Sequence, residues 1–200
     1  MDYKKKTIDS YNENAKEFSI KFKELMDLKE RTEFERFINL LKGDKILDLG
    51  CGSGDNSLYF KEKGLDVIGI DLSEKMIELC KEKGIEAFVC DIEDLPFNSK
   101  SFDGIWAVTS LLHIPKSRIR NVITKLNLIL KEEGIMYVCV KEGEGEGLLE
   151  DKSKATSRFF AFWKEDEFFK LFEDCFFLIE NRKVKLNNTI FLQAFFKKRN

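Results

Sequence analysis

Three features of the sequence predict an α/β fold built on a mostly parallel sheet. Short apolar runs alternate five times with amphipathic stretches between residues 45 and 141, the connections are short, and the first run stops in a loop of spaced glycines. Alternation of this kind places helices on both faces of the sheet. Ligands then bind beyond the carboxyl ends of the strands, where the strand order reverses.

The elements follow in order. Residues 4 to 41 read as amphipathic helix, with Phe18, Phe22, Leu25, Phe34, Phe37, Ile38 and Leu41 at three- and four-residue spacing and Gly43 closing the last turn. Residues 45 to 49 form a buried strand, and 56 to 63 a helix stopped by Gly64. Val67 to Ile70 is the second strand. Ser73 caps a helix running to Lys83, and Ala87 to Cys90 is the third strand. Phe102 to Val108 is the fourth, residues 116 to 130 a long helix after Pro115, and Ile135 to Lys141 the fifth. The glutamate- and glycine-rich stretch 142 to 150 reads as a mobile loop. A helix near 165 to 173 precedes two strands, 176 to 184 and 190 to 197, which an Asn187-Asn188 turn joins as a hairpin at the sheet edge.

Composition bounds the class of protein. A chain of 200 residues makes one domain the default, and nineteen phenylalanines favour a dense aromatic core. The net charge of -2 argues against a nucleic-acid partner, which leaves a basic footprint. Five cysteines without a C-x-x-C pair suggest neither disulfides nor zinc and fit the cytoplasm. No leader and no apolar run near ~20 residues is present, so no membrane association is expected.

The chemistry concentrates at strand ends. Asp48 precedes Gly50, Gly52 and Gly54, a D-x-G-x-G-x-G spacing that fits neither G-x-G-x-x-G nor a P-loop. Glycines there allow positive φ and close approach of a ligand to the backbone. Asp71 ends the second strand, where a carboxylate accepts hydrogen bonds from a ribose diol, or else caps a turn. Asp91 ends the third strand, where it can accept from an adenine amino group while the Ile92 N–H reaches a ring nitrogen. An Asx turn is the competing reading. His113, the single histidine, lies beyond the fourth strand as a base for the acceptor or an orienting group. Arg158 either pins an anionic group or pairs with an acid.

Taken together, segments 46–57, 68–76, 89–97, 101–115 and 130–140 resemble successive motifs of class I S-adenosylmethionine-dependent methyltransferases of the ubiquinone-methyltransferase-like type. The resemblance implies a Rossmann-like three-layer αβα sandwich with a mostly parallel seven-stranded sheet whose last strand is antiparallel. It also implies S-adenosylmethionine as methyl donor, leaving S-adenosylhomocysteine. Cofactor contacts would come from Asp48, Gly50, Gly52, Gly54, Asp71, Leu72, Asp91 and Ile92. Tyr11 would join them from a segment that folds over the cofactor in this family, and Trp106 is assigned to the core. Residues 1–41 would form a helical lid, 42–141 the cofactor-binding core, and 142–200 the acceptor-side loop, helix and edge strands. The expected enzyme, a monomer or homodimer, methylates a small molecule. RNA or protein acceptors, or a non-catalytic binding module, are the alternatives.

Overall fold

The computed structural model describes residues 2–27, 32–152 and 154–199. Of the expected apolar stripe over 4–41, the side chains of Phe22 and Leu25 and all of residues 28–31 lie outside the described residues. That stripe is divided among α1 (Asp2–Glu13), α2 (Ala15–Asp27) and α3 (Thr32–Leu40). Phe34 and Phe37 of α3 are buried because their spacing puts both on the face turned to the sheet.

The alternating core follows the sequence closely. It comprises β1 (Lys45–Leu49), α4 (Asp55–Glu62), β2 (Asp66–Asp71), α5 (Glu74–Glu82), β3 (Glu86–Val89), β4 (Phe102–Val108), α6 (Ile119–Ile129) and β5 (Leu130–Lys141). Ser73 caps α5 as expected, its hydroxyl accepting from the Met76 N–H at 3.1 Å. Two boundaries differ from expectation by more than one residue. Residues 115–118 form a turn, with Pro115 O accepting from Arg118 N, so α6 starts three residues late. The fifth strand starts at Leu130, which pairs with Phe102 ahead of a bulge.

Stretch 142–150 is a correction. Glu146–Asp151 is a strand, β6, paired antiparallel with β7 (Thr156–Ala161) in a separate two-stranded sheet. Glutamate and glycine are poor strand formers, so composition pointed elsewhere. Pairing with β7, which carries Phe159, Phe160 and Ala161 into the core, overrides that preference.

After α7 (Glu165–Lys170), β8 (Phe176–Leu186) and β9 (Thr189–Lys198) form the expected hairpin. The sheet order is β3-β2-β1-β4-β5-β9-β8, and β9 alone runs antiparallel to the rest. The order reverses between β1 and β4, so a crevice opens at their carboxyl ends. Trp106 is core, as expected: it stacks on Tyr137 at 4.2 Å and packs against Phe34, Phe37 and Phe60.

One packing relation prepares the site. The β7 strand carries α1: Phe159 N donates to Thr7 Oγ1 at 2.9 Å, Ser10 Oγ lies 3.0 Å from Thr156 Oγ1, and the Tyr3 and Phe159 rings are 4.8 Å apart. Thus α1 lies across the ends of the central strands.

Candidate active site

The glycine loop is held from two sides. Gly50 N and Cys51 N both donate to Ile70 O, at 2.8 and 2.9 Å, which ties the end of β1 to the end of β2. Gly50 has φ +76, and a Cβ there would sit 2.4 Å from the Ser110 Cβ, so the approach of the β4 loop demands glycine. Gly52, at φ +53, would meet nothing within 4 Å and faces the cleft. Its N–H donates to Asp71 Oδ2 at 3.0 Å, and Ser73 N donates to Oδ1 at 2.9 Å. Each carboxylate oxygen keeps a lone pair for a diol. Burial pushes the Asp71 pKa up, while its backbone donors favour the charged form.

The end of β3 is built around Asp91. Glu93 N donates to Asp91 Oδ1 at 2.9 Å, the Asx turn foreseen as the competing reading, while Oδ2 receives Lys4 Nζ at 2.6 Å. Lys4 also bonds Glu93 Oε2 at 2.6 Å. Through this lysine α1 closes on the end of β3. Leu72 and Ile92 line the same cleft.

His113 and Tyr11, distant in sequence, meet there. His113 Nδ1 lies 2.5 Å from Phe159 O, and a carbonyl only accepts, so Nδ1 carries the proton. Nε2 therefore holds the lone pair, and the Tyr11 hydroxyl, 2.9 Å away, donates to it. Burial, with the charges of Arg158 and Lys141, pushes the His113 pKa down to about 4. The imidazole is neutral at pH 7 and both its nitrogens are engaged, Nε2 by the Tyr11 hydroxyl.

The cleft gathers Tyr11, Gly50, Gly52, Asp71, Leu72, Asp91, Ile92 and His113, with a cavity volume near 100 Å³. Asp48 and Gly54 are not among its lining residues. Asp48 is buried beneath the loop, where Ser57 Oγ donates to it at 2.6 Å and burial raises its pKa to about 7. Gly54 caps α4 at φ +80, and a Cβ there would strike Cys80 Sγ at 2.5 Å. Both support the loop from below.

Sequence reasoning missed Ser110, Lys4 and Thr7 as cleft residues. The buried Ser110 Oγ has no partner among the described residues, and no local pattern marks it. Such an orphaned donor beside an open glycine face and a carboxylate with spare lone pairs fits a nucleoside ligand with hydroxyl and amino groups.

Comparison with known proteins agrees. Residues 46–134 match the methyltransferase domain family. The chain is similar to the tRNA (carboxymethyluridine(34)-5-O)-methyltransferase alkbh8 of Xenopus tropicalis, 32% identical over 109 residues covering 53% of this chain and 17% of that protein. It is equally similar to the demethylmenaquinone methyltransferase of Thermotoga maritima, 32% identical over 117 residues covering 56% of this chain and 50% of that protein. The chain thus spans half or less of the length of these relatives. A solved S-adenosylmethionine-dependent methyltransferase from Methanosarcina mazei shares the fold, with a TM-score of 0.73, 24% identity, and 80% and 95% of the two chains covered. The fold is that of solved S-adenosylmethionine-dependent methyltransferases, and residues 46–134 resemble a methyltransferase domain. Two solved neighbours of this fold hold S-adenosylhomocysteine and S-adenosylmethionine respectively.

Among the described residues no cluster of ligands suits a metal ion, and no helix is long and apolar enough to cross a membrane.

Proposed function

We propose that the protein transfers the methyl group of S-adenosylmethionine to a small-molecule acceptor in the cytoplasm. The observation that carries this reading is enclosure. The cleft at the strand ends is roofed by Tyr3, Lys4, Thr7, Ile8 and Tyr11 of α1, a cover that favours a small acceptor over an RNA strand or a folded protein. The tRNA-modifying relative keeps an RNA acceptor as the alternative. The acidic charge balance weighs against it.

When bound, S-adenosylmethionine supplies an electrophilic methyl carbon on a sulfonium, and the sulfur keeps the electron pair of the broken bond. This chain's residues do the rest. Gly50 and Gly52 admit the methionine end, Asp71 holds the ribose, and Asp91 with the Ile92 N–H holds the adenine. The acceptor's lone pair forms the new bond to carbon, which makes the acceptor's own proton strongly acidic. Tyr11 receives that proton as it passes its own to His113 Nε2. A weakly basic imidazole suffices after bond formation, and alignment supplies much of the acceleration.

A size-fractionated cell extract incubated with methyl-labelled S-adenosylmethionine tests the acceptor class. Label in the fraction below ~1 kDa, within the range such pockets enclose, supports the reading. Label confined to RNA or protein overturns it.

A further inference from the structure

Beyond the Tyr11–His113 pair, two cations share one aromatic wall. Lys141 ends β5 with its Nζ 4.4 Å from the Phe160 ring centre. Arg158, on β7, has its guanidinium carbon 5.4 Å from that same centre, 5.3 Å from the Tyr11 ring and 4.6 Å from the Phe18 ring. It also donates to Tyr11 Oη at 3.4 Å. Both cations are half-buried.

Neither Lys141 nor Arg158 meets a carboxylate among the described residues, although acids are abundant beside them. Glu142 is taken by Lys183 at 2.6 Å, Glu144 by Lys164 at 2.7 Å, Glu17 by Lys154, and Glu146 accepts from Lys116 N at 2.7 Å. Glu142 and Glu144 are therefore already ion-paired, and Glu146 is held by a backbone N–H. Two half-buried like charges facing one ring repel and are costly to desolvate, which an anion between them offsets. Burial, with the charges of Arg158 and Lys21, pulls the Lys141 pKa down, as for a cation lacking its counter-ion.

We propose that the acceptor carries an anionic group, a carboxylate or a phosphate, gripped by Lys141 and Arg158 while its body lies against Phe160 and Phe18. The inference rests on the small-molecule reading above and narrows it to one substrate class. Arg158 links the two halves of the site. The guanidinium that grips the anion also touches the hydroxyl of Tyr11, so a bound acid lies beside the proton path.

The test uses the full chain loaded with S-adenosylhomocysteine and titrated with benzoate, phenyl phosphate and neutral benzamide. At least one anion binds about tenfold or more tightly than benzamide, as charge-assisted hydrogen bonds imply, and the two anions distinguish carboxylate from phosphate. The preference disappears in Lys141→Met/Arg158→Met and survives in Lys141→Arg, while S-adenosylhomocysteine affinity stays unchanged in both and reports folding. If benzamide equals or exceeds both anions, or the double variant keeps the preference, the inference fails. Label from the extract experiment appearing only in neutral or cationic small molecules overturns the inference and leaves the proposed function standing. Label only in RNA overturns both.

Discussion

Tyr11 Oη and His113 Nε2 stand 2.9 Å apart, although 102 positions separate the two residues. The Phe159 carbonyl fixes the imidazole tautomer, so the hydrogen bond has one direction, from tyrosine to histidine. The pair acts as one unit in the proposed proton path. Tyr11→Phe and His113→Gln should each lower turnover by roughly 10- to 100-fold, at or below the usual general-base range, with the double variant no worse than the more damaged single one. S-adenosylhomocysteine affinity in His113→Gln should match the wild type. Additive losses, or full activity in Tyr11→Phe, would separate the two residues.

Gly50 and Gly52 should fail in different ways when changed to alanine. The Gly50→Ala methyl meets the Ser110 Cβ at 2.4 Å, so the loop must shift and the variant should lose stability, by about 1 to 3 kcal/mol. Gly52→Ala finds open space and loses only about 1 kcal/mol to its positive φ. Its methyl instead projects into the cofactor cleft, so binding should suffer more than folding. Thermal melts alongside calorimetric titration check the pair; an identical pattern in both variants would contradict the assignment.

Lys4 bolts α1 over the cleft through Asp91 and Glu93. A volume near 100 Å³ lies below the ~300 Å³ at which ligand pockets usually begin, so α1 has to swing for the cofactor to pass. Lys4→Ala should therefore speed S-adenosylhomocysteine association in stopped-flow measurements. Added salt, which weakens a partly exposed ion pair, should speed the wild type towards the variant's rate. Equal rates at low salt would show that α1 opens without breaking this contact.

Buried Asp48 and half-buried His113 set opposing pH dependences of stability. His113 has a folded pKa of about 4, below its ordinary 6.5, so the unfolded chain binds more protons and stability falls as pH drops from 6.5 towards 4. Asp48 is raised from 3.8 to about 7, so the folded chain binds more protons and stability falls as pH rises across that range. Each effect is on the order of 3 to 4 kcal/mol, and the two oppose one another between pH 5 and about 6.5. Asp48→Asn should unmask a stability that climbs with pH in that window, and His113→Gln one that declines. Denaturant melts at pH 5.0 and 6.5 check the signs, and matching slopes in the two variants would contradict them.

Much of this site is legible in the sequence because it lies at strand ends. Buried parallel strands are unbroken apolar runs, so the positions of Asp71 and Asp91 just after them follow from local pattern. The boundaries of β1, β2 and β4 and the Ser73 cap follow for the same reason. What the pattern does not carry is pairing across the chain. Lys4 meets Asp91 over 87 positions, and the β6–β7 ribbon exists through α1 and the core beneath β7 rather than through the propensities of its own glutamates and glycines. Asp48 illustrates the limit at close range: two residues from Gly50, it points under the loop to Ser57 instead of into the cleft. For Arg158 the pattern leaves an anion or an acid open; among the described residues the structure gives it aromatic faces and a tyrosine hydroxyl and no acid.

The central claim is that the ends of β1, β2 and β3 form a nucleoside site for a methyl donor. Calorimetric titration of wild type and Asp71→Ala with S-adenosylmethionine, S-adenosylhomocysteine and NAD tests it most directly. The expected result is one-to-one binding of the first two, no binding of NAD, and a loss of about 1 to 3 kcal/mol in affinity when the Asp71 carboxylate is removed. Preferential binding of NAD, or an affinity for S-adenosylmethionine that ignores Asp71, would contradict the account.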